Sequence, residues 1–503
     1  MKRSVALTLT FAACLTAAVW LSAATQSPTT PAPRAAAVTF SEHIAPTLYD
    51  NCVTCHRPGE VAPFSLISYE DAAKRAQLLA TVTKSRYMPP WHAEPGFGDF
   101  ADERRLTDAQ IASIAEWVKQ GMPRGNTARM PKLPVFTEGW QLGKPDLVLE
   151  MPEAFDVPAD GPDIYRNFAI PAGITEDKWV RAVEFRPGTR KVVHHALFQF
   201  ARGGAVAELI PSDGKPGFGG AMPLRMVSNF APAGDLGGWA VGTTPRFLPE
   251  NLSWTLKAGS DFILQLHLHP TGKPEKERST VGLYFANTPP PRRIRELSAP
   301  GLFGVLANID IPPGEKNYVV KGTARTFANM RAYSVLAHAH YLGKEMKAIA
   351  TLPDGTTLPL LWIKDWDFNW QDRYVYKQPV DLPKGTKIDV TITYDNSADN
   401  PRNPCNPPRR VQWGVQSYDE MGAVIFQTMT SSDADEKALN DFNAAIAKAV
   451  VNQVQQSDTV KRLQDQQKQF KAGAARPVGC GQPAPSMQFF QESAARPGRT
   501  MSR

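Results

Sequence analysis

The chain has 503 residues, of which 42% are hydrophobic, so it is long enough for several domains with apolar cores. Its formal net charge of +7 is small for this length. No dense run of lysine and arginine with interleaved aromatic residues occurs, which argues against nucleic-acid binding. The 44 prolines indicate many turns and β-rich segments.

Residues 1–24 have the pattern of an export signal. A basic start is followed by an apolar run from Val5 to Ala24 that ends in small residues. A retained membrane anchor is the alternative interpretation. Residues 25–37 are predicted to be a disordered linker. No later stretch is long enough to span a bilayer. We therefore expect a periplasmic or secreted protein with no stable membrane span after signal removal.

Cys52, Cys55 and His56 form a C-x-x-C-H sequence, the attachment motif of c-type haem. The two thiols would add to the haem vinyl groups, and His56 would become the proximal iron ligand. A zinc site or a thiol-redox pair is the alternative.

The flanks of this motif predict a small all-α cytochrome c domain over residues 38–125. Phe40–Tyr49 is predicted to be a first helix, and a capping box at Thr107 opens a last one. Met88 lies in a proline-rich loop ahead of that helix and is the expected sixth iron ligand, with His92 as its rival. A thioether opposite histidine raises the iron potential and suits electron transfer.

After a linker at residues 126–143, short strand-like runs with turn signals favour β-sandwiches over an α/β fold. The proline-rich stretch 289–293 is predicted to be a hinge between two such units. These units span residues 144–290 and 298–432.

Histidine is scarce, with nine in the chain, and every histidine beyond residue 100 belongs to one of three pairs. His338 and His340 share one face of a predicted strand, where two imidazoles can bind one transition-metal ion. A chance pair of surface histidines is the alternative.

The other two pairs are less regular. His194 and His195 are adjacent, so both can be ligands only at a bulge or strand end; geometry alone favours one ligand and one packed histidine. His267 and His269 share one face of a predicted strand, so one of them could lie next to a metal ligand without binding the metal itself. Met421 begins an apolar run and by itself would be interpreted as a core residue.

Together these motifs resemble the ascorbate-dependent type II copper monooxygenases, the family of peptidylglycine α-hydroxylating monooxygenase and dopamine β-monooxygenase. The resemblance covers about residues 140–430 and is carried, in order, by His194-His195, Gln265-Leu266-His267, His338-Ala339-His340 and Asp419-Glu420-Met421. It implies two all-β jelly-roll sandwich units, each holding one copper ion, that face each other across a solvent-filled cleft.

The resemblance also implies the ligand sets. An electron-storing copper would be held by His194, His195 and His267. The copper that meets dioxygen and substrate would be held by His338, His340 and Met421. A soft thioether beside two imidazoles favours Cu(I).

Four further positions compare with the family. Gln265 matches a polar residue near the first copper, and His269 resembles the His-x-His-x-Pro pattern of the catecholamine branch. Leu336 stands where the peptide branch has a substrate-binding arginine, and Ile425 replaces a tyrosine. These two departures argue against peptide amidation.

The C-terminal tail, residues 433–503, is predicted to be helical to Phe470 and then disordered. Of the five cysteines, Cys14 leaves with the signal and two belong to the haem motif. Cys405 and Cys480 are therefore expected to form a disulfide in an oxidising compartment.

The sequence thus predicts a multidomain chain: an all-α cytochrome c domain, two all-β jelly-roll sandwich units and a helical tail. The leading hypothesis is an exported copper-dependent monooxygenase with two copper ions and one covalent haem c. Its expected partners are a small-molecule substrate, dioxygen and an external reductant or redox protein, with electrons relayed through the haem. A haem and copper electron-transfer protein, or a copper-binding protein, without oxygenase activity is the alternative.

Overall fold

A computed structural model describes residues 37–137, 139–161, 163–204, 214–219, 234–471 and 480. The predicted export signal, the predicted linker except Ala37 and the tail beyond residue 471 except Cys480 lie outside the described residues. Within the part that is described, no helix is both long and apolar enough to cross a membrane.

The segment that carries the C-x-x-C-H motif is helical. It comprises a π-helical turn Phe40–Ile44, α1 Ala45–Asn51, α2 Tyr69–Ala73, α3 Ala76–Lys84, α4 Asp108–Lys119 and a 3-10 turn Thr127–Arg129. The predicted capping box is present: the Thr107 hydroxyl accepts the Gln110 backbone N–H, and Gln110 caps Thr107 in return. These helices bury a small core around Phe40, Leu48 and Trp117.

The rest of the described chain is mostly β-structure in several sheets. The first half contains β1 Leu147–Glu150, β2 Phe155–Val157, β3 Ile164–Pro171, β4 Lys178–Arg186, β5 Val193–Arg202, β6 Phe218–Gly219, β7 Gly234–Ala240, β8 Leu252–Leu256, β9 Ser260–Leu268, β10 Glu275–Glu277, β11 Thr280–Phe285 and β12 Arg292–Arg293. Two five-stranded sheets, β1-β11-β4-β8-β12 and β6-β3-β9-β5-β7, share one apolar core.

The second half repeats this plan. It contains β13 Arg295–Ala299, a 3-10 segment Gly301–Ala307, β14 Asp310–Ile311, β15 Tyr318–Arg325, β16 Met330–Ala339, β17 Gly343–Thr351, β18 Thr357–Ile363, β19 Arg373–Leu382, β20 Lys387–Tyr394, β21 Val411–Gln412 and β22 Gly422–Thr430. Two four-stranded sheets, β13-β22-β16-β19 and β15-β20-β17-β18, enclose a second core.

Strand alternation directs the histidines away from both cores. On β9 the residues Leu264, Leu266 and Leu268 are buried in the first core, so His267 lies on the opposite face of the sheet. On β16 the residues Val335, Ala337 and Ala339 fill the second core, which leaves Leu336, His338 and His340 on the outer face. Each half therefore presents its histidines on the face of a sheet that its own core does not use.

The predicted hinge is partly a strand. Arg292 and Arg293 form β12, which pairs in parallel with β8 of the first half. β13 begins two residues later and pairs with β22 of the second half. The stretch thus leads from an edge strand of a sheet in the first half, β12, to an edge strand of a sheet in the second half, β13.

Two other parts of the described chain also pack on the second half, a segment between α3 and α4 and the C-terminal helices. Trp91, Ala93 and Phe100 of the N-terminal segment pack with its core, and Ala93 and Phe100 form β-bridges with Ile363 and Tyr376. The tail forms α5 Asp433–Gln456 and α6 Asp458–Lys471, interrupted at Ser457.

Two contacts connect the tail to the second half. The ring of Phe442 on α5 stacks on Phe327, with 3.5 Å between the ring centroids. Cys405 and Cys480 form a disulfide, with their Cα atoms 5.0 Å apart. The tail therefore packs along the second half.

Candidate metal centres

Three histidines of the first half converge on one point. The Nδ1 atom of His194 lies 3.1 Å from that of His195 and 3.2 Å from that of His267, and the third side of the triangle is 3.3 Å. Three metal–imidazole bonds of about 2.0–2.1 Å at tetrahedral angles place nitrogen atoms about 3.3–3.4 Å apart. The triangle therefore fits three corners of a tetrahedral metal site and leaves the fourth corner open.

A backbone irregularity makes this convergence possible. β5 and β9 pair with His195 opposite His267, but the register shifts between Val193 and His195. This shift at the start of β5 is the bulge that two adjacent histidine ligands require. His194 and His195 thus both face His267, and neither ring packs away from the triangle.

Two of these imidazoles, those of His194 and His195, are held in the neutral form that binds metals. Burial lowers the pKa of His194 to about 3, and burial together with the neighbouring imidazoles lowers the pKa of His195 well below its usual range. Neutral imidazoles keep a lone pair free for a metal ion near neutral pH. The Nε2 atom of His194 is buried without a hydrogen-bond partner.

A largely buried carboxylate lies beside the histidine triangle. Asp163 lies directly before β3, with Oδ2 2.9 Å from Nε2 of His267 and Oδ1 2.7 Å from Nδ1 of His269. Burial would raise the pKa of Asp163, but the two histidines hold it well below its usual range. His269 therefore contacts Asp163 and is not part of the histidine triangle. A carboxylate beside the second ring nitrogen is usual for metal-binding histidines, and Oδ2 of Asp163 has this place next to His267.

Gln265 lies two residues before His267 on the same face of β9 and is buried. Its side-chain amide donates a hydrogen bond to the Asn167 side-chain oxygen at 2.8 Å. It is thus fixed next to His267 along the outer face of β9.

In the second half, His338 and His340 lie side by side, with 5.3 Å between their ring centroids. The Nδ1 atom of His338 is 2.6 Å from Oε1 of Gln371, and that of His340 is 3.2 Å from the Asp419 carbonyl oxygen. With both Nδ1–H groups donating to these oxygens, each ring keeps its Nε2 lone pair for a metal. Burial lowers the pKa of His338 to about 4.

Met421 is placed beside this pair by the strand register. β16 and β22 pair His338 with Ala423 and Ala339 with Gly422, so the same register brings Met421 opposite His340. Residues directly opposite each other share a face of the sheet. Met421 is 6% exposed and also contacts the second core, so its core packing is observed and its role as a ligand stays a prediction.

The buried carboxyl group of Glu420 fixes the backbone around these ligands. It accepts hydrogen bonds from the backbone N–H groups of His340, Leu342 and Met421. Burial raises its pKa to about 8 despite these three donors. The end of β16 and the start of β22 are therefore joined at the points where His340 and Met421 stand.

A loop that the sequence did not single out lies between the two histidine sets. The connecting loop, residues 364–372, joins β18 to β19. The ring centroid of its buried Phe368 is 5.0 Å from that of His194 and 5.8 Å from that of His340. An aromatic ring therefore stands where the resemblance implies a solvent-filled cleft.

The face beside the second centre is apolar with one cation at its edge. Leu336 is paired with Ile425 on one side and with Arg373 on the other. The two departures from the family pattern are thus direct neighbours. The guanidinium group of Arg373 lies against Gly237 of the first half, where an added Cβ would collide with it.

The C-x-x-C-H motif forms a turn in which the backbone N–H groups of Cys55 and His56 donate to the Cys52 carbonyl. The Nδ1 atom of His56 lies 3.1 Å from the Phe64 carbonyl oxygen, which leaves Nε2 for a metal. Burial raises the pKa of Cys52 to about 12. Reactive redox cysteines have lowered pKa values, so this environment disfavours the thiol-redox alternative.

The two candidates for the sixth haem ligand are engaged differently. Met88 is half-buried, and its backbone N–H donates to the Val82 carbonyl at the end of α3. His92 is turned to the second half, with Nδ1 3.1 Å from the Asp365 carbonyl oxygen and Nε2 buried without a hydrogen-bond partner.

Comparison with known proteins adds no family. No protein-family model matches the chain, and no curated protein matches it. Among solved structures, 45 chains match. One is from Sulfolobus turreted icosahedral virus, at 9% identity and a TM-score of 0.15, covering 55% of this chain and 59% of that one. Another is from infectious bursal disease virus strain Gx, at 10% identity and a TM-score of 0.15, covering 57% and 68%. Such low scores carry no argument about fold or function.

Three residues of the site were missed by sequence reasoning: Asp163, Phe368 and Gln371. Each is a single polar or aromatic residue in a loop or at a strand end, with no periodic pattern around it. No signal in the sequence around them distinguishes them from ordinary loop residues.

Proposed function

We propose that the chain is an exported copper-dependent monooxygenase that hydroxylates a substrate C–H bond. It resembles the ascorbate-dependent type II copper monooxygenases, with a c-type cytochrome domain added at its N-terminus and two jelly-roll sandwich units behind the copper sites. The observation that carries the proposal is the His194–His195–His267 triangle, together with a second, separate histidine pair that has a thioether beside it.

The donor sets fit copper better than zinc. Each is dominated by imidazole, and the second adds the soft sulfur of Met421, a combination that favours Cu(I). Hydroxylation by dioxygen takes two electrons from a reductant: R–H + O₂ + 2e⁻ + 2H⁺ gives R–OH + H₂O. The chemistry that bound copper and haem would supply is one-electron redox, so two copper sites match the two electrons required.

The protein's own residues prepare the sites. Gln371 and the Asp419 carbonyl orient the two imidazoles of the second centre, and Glu420 fixes the backbone beside Met421. Phe368 keeps bulk water out of the space between the sets, which protects reactive intermediates from side reactions. Leu336 and Ile425 make the adjacent surface apolar, so we expect a substrate with a hydrocarbon portion at the reacting carbon.

The connecting loop offers a path for electrons from the helical segment. At its start, the carbonyl oxygen of Asp365 is 3.1 Å from Nδ1 of His92, and at its end Asp372 pairs with Arg104. In between, Phe368 and Gln371 contact the two histidine sets. A haem attached at Cys52 and Cys55 would therefore belong to a segment already packed against the loop that orients the copper ligands.

The test is oxygen uptake by the copper-loaded, reduced protein across a library of small molecules, with ¹⁸O₂ traced into product by mass spectrometry. We expect substrate-dependent uptake and one labelled atom in the product. His338→Gln should abolish labelling, whereas His43→Gln, at an exposed histidine of the helical segment, should not.

Two results would contradict the proposal. Reversible electron exchange without labelled product for any compound would favour a haem and copper electron-transfer protein. Unchanged labelling in His338→Gln would remove the second centre from the chemistry.

A further inference from the structure

The side chain of Asp163 joins the two halves of the candidate site. It is 12% exposed and belongs to the first half, where it contacts His267 and His269. Its Oδ2 atom also accepts a hydrogen bond from the Ser417 hydroxyl of the second half at 2.6 Å. One carboxylate therefore contacts a ligand of the first centre and, directly, a residue of the second half.

Ser417 lies in the segment that leads into the second centre. It precedes Met421 by four residues, and two residues after it Asp419 accepts from the Nδ1 atom of His340 at 3.2 Å. Asp419 also closes the turn by accepting the Gln416 backbone N–H. A shift of Ser417 would therefore be transmitted to His340 and Met421 through a short, hydrogen-bonded turn.

Tyr165 strengthens the same connection. Its hydroxyl is 3.0 Å from the Ser417 hydroxyl oxygen, and its ring stacks on His267 with 4.2 Å between centroids and 16° between planes. The orientation of His267 is thus set from the face by Tyr165 and from the edge by Asp163. Both of these residues contact the same serine.

An imidazole that binds a metal through Nδ1 presents its Nε2–H on the other side of the ring. A carboxylate that accepts this proton fixes the tautomer and the ring plane, and loss of such a partner typically costs 10–100-fold in metal affinity. Oδ2 of Asp163 lies 2.9 Å from Nε2 of His267. The same oxygen accepts the hydrogen bond from Ser417 in the second half of the chain.

We infer that Asp163 is a positioning residue for both centres. It orients His267 as a ligand of the first centre and, through Ser417, holds the turn that places His340 and Met421. Metal binding at the first centre and ligand geometry at the second are therefore coupled. This inference rests on the proposed function in taking both histidine sets as copper sites.

The first arm of the test measures the first centre in a His338→Gln background. Asp163→Asn should lower Cu(II) affinity in a competition titration by about 10–100-fold and change the EPR parameters of the bound ion. The matched control is Asp261→Asn, which alters a carboxylate on the same sheet that caps the Gly204 backbone N–H. A purely structural role would lower the stability of the metal-free protein and leave the EPR spectrum unchanged, which would overturn the inference.

The second arm measures the second centre. Ser417→Ala should lower Cu(I) affinity there by about fivefold or more, the lower end of usual coupling between sites, and Ser417→Thr, which keeps the hydroxyl, should restore it. In a His267→Gln background, where the first centre is lost, Ser417→Ala should have a smaller effect than in the otherwise unmodified protein.

Equal effects of Ser417→Ala with and without His267 would overturn the coupling. If the unmodified protein binds no copper, the proposed function fails. If it binds two copper ions and the Asp163 and Ser417 variants behave like it, only this inference fails.

Discussion

Replacing Met421 by leucine separates its proposed role as a ligand from its role in the core. Met421 is 6% exposed and packs with the second core, so alanine would leave a cavity and cost about 2–5 kcal/mol. Leucine keeps the volume, and such swaps usually cost less than about 1.5 kcal/mol. Met421→Leu should therefore fold like the parent protein while lacking the thioether.

The chain provides a matched control in Met346. This residue lies on β17, is fully buried and packs in the same core, but it has no place in either histidine set. Both leucine variants should unfold in urea within about 1.5 kcal/mol of the parent when metal-free. Only Met421→Leu should lose Cu(I) affinity at the second centre, by about tenfold or more, equivalent to about 1.4 kcal/mol.

The assay is a Cu(I) competition titration with a colorimetric chelator, followed by oxygen uptake with substrate. In Met421→Leu, hydroxylation should fall with Cu(I) affinity while one copper ion remains at the first centre. If the two leucine variants bind Cu(I) equally well and turn over equally fast, Met421 is a core residue and the second centre has a different third ligand.

Three further predictions concern pH, the haem and the substrate. Burial lowers the pKa of His338 to about 4, whereas it is about 6.5 in the unfolded chain. Between these values only the unfolded chain binds the proton, so the stability of the metal-free protein should fall by about 1.4 kcal/mol for each pH unit as the pH is lowered. The difference in urea unfolding between the parent and His338→Gln should show this slope, and a flat difference would contradict it. Met88→Ala should change the haem absorption spectrum and slow turnover with a protein donor, and His92→Ala should not; the reverse result would make His92 the ligand. Glycine-extended peptides should be poor substrates in the uptake assay because Leu336 offers their carboxylate no charged partner. Rapid turnover of such peptides that Arg373→Gln abolishes would contradict this prediction and show that Arg373 binds the carboxylate instead.

Much of the fold follows from local pattern. The capping box at Thr107 marks the start of α4, and the alternation around His338 marks β16 and places its histidines on one face. The same alternation explains why the histidines avoid the cores, since leucine and alanine occupy the positions between them. These features depend on neighbours within a few residues, which a sequence displays directly.

The His194–His195 pair marks the limit of that reasoning. A regular strand would turn the two rings to opposite faces, and only the register shift against β9 brings them together. A bulge depends on how β5 pairs with a strand about seventy residues later along the chain. Local pattern therefore favoured one ligand, and only the family resemblance implied two.

The residues that contact the candidate ligands could not be predicted from the sequence for a related reason. Asp163 and Ser417 are 254 positions apart in the chain and form a hydrogen bond, and His92 and Asp365, also in contact, are 273 positions apart. Such contacts exist only once the two halves and the helical segment have packed together. Neither residue type nor spacing distinguishes Asp163 or Phe368 from ordinary loop residues.

The most direct test of the central claim is the metal content of the purified mature protein and two variants. We predict one covalent haem and two copper ions per chain, with one copper ion lost in His267→Gln and the other in His338→Gln. Stoichiometric zinc in the parent protein, or a single copper ion that neither substitution removes, would contradict the assignment of two separate copper centres.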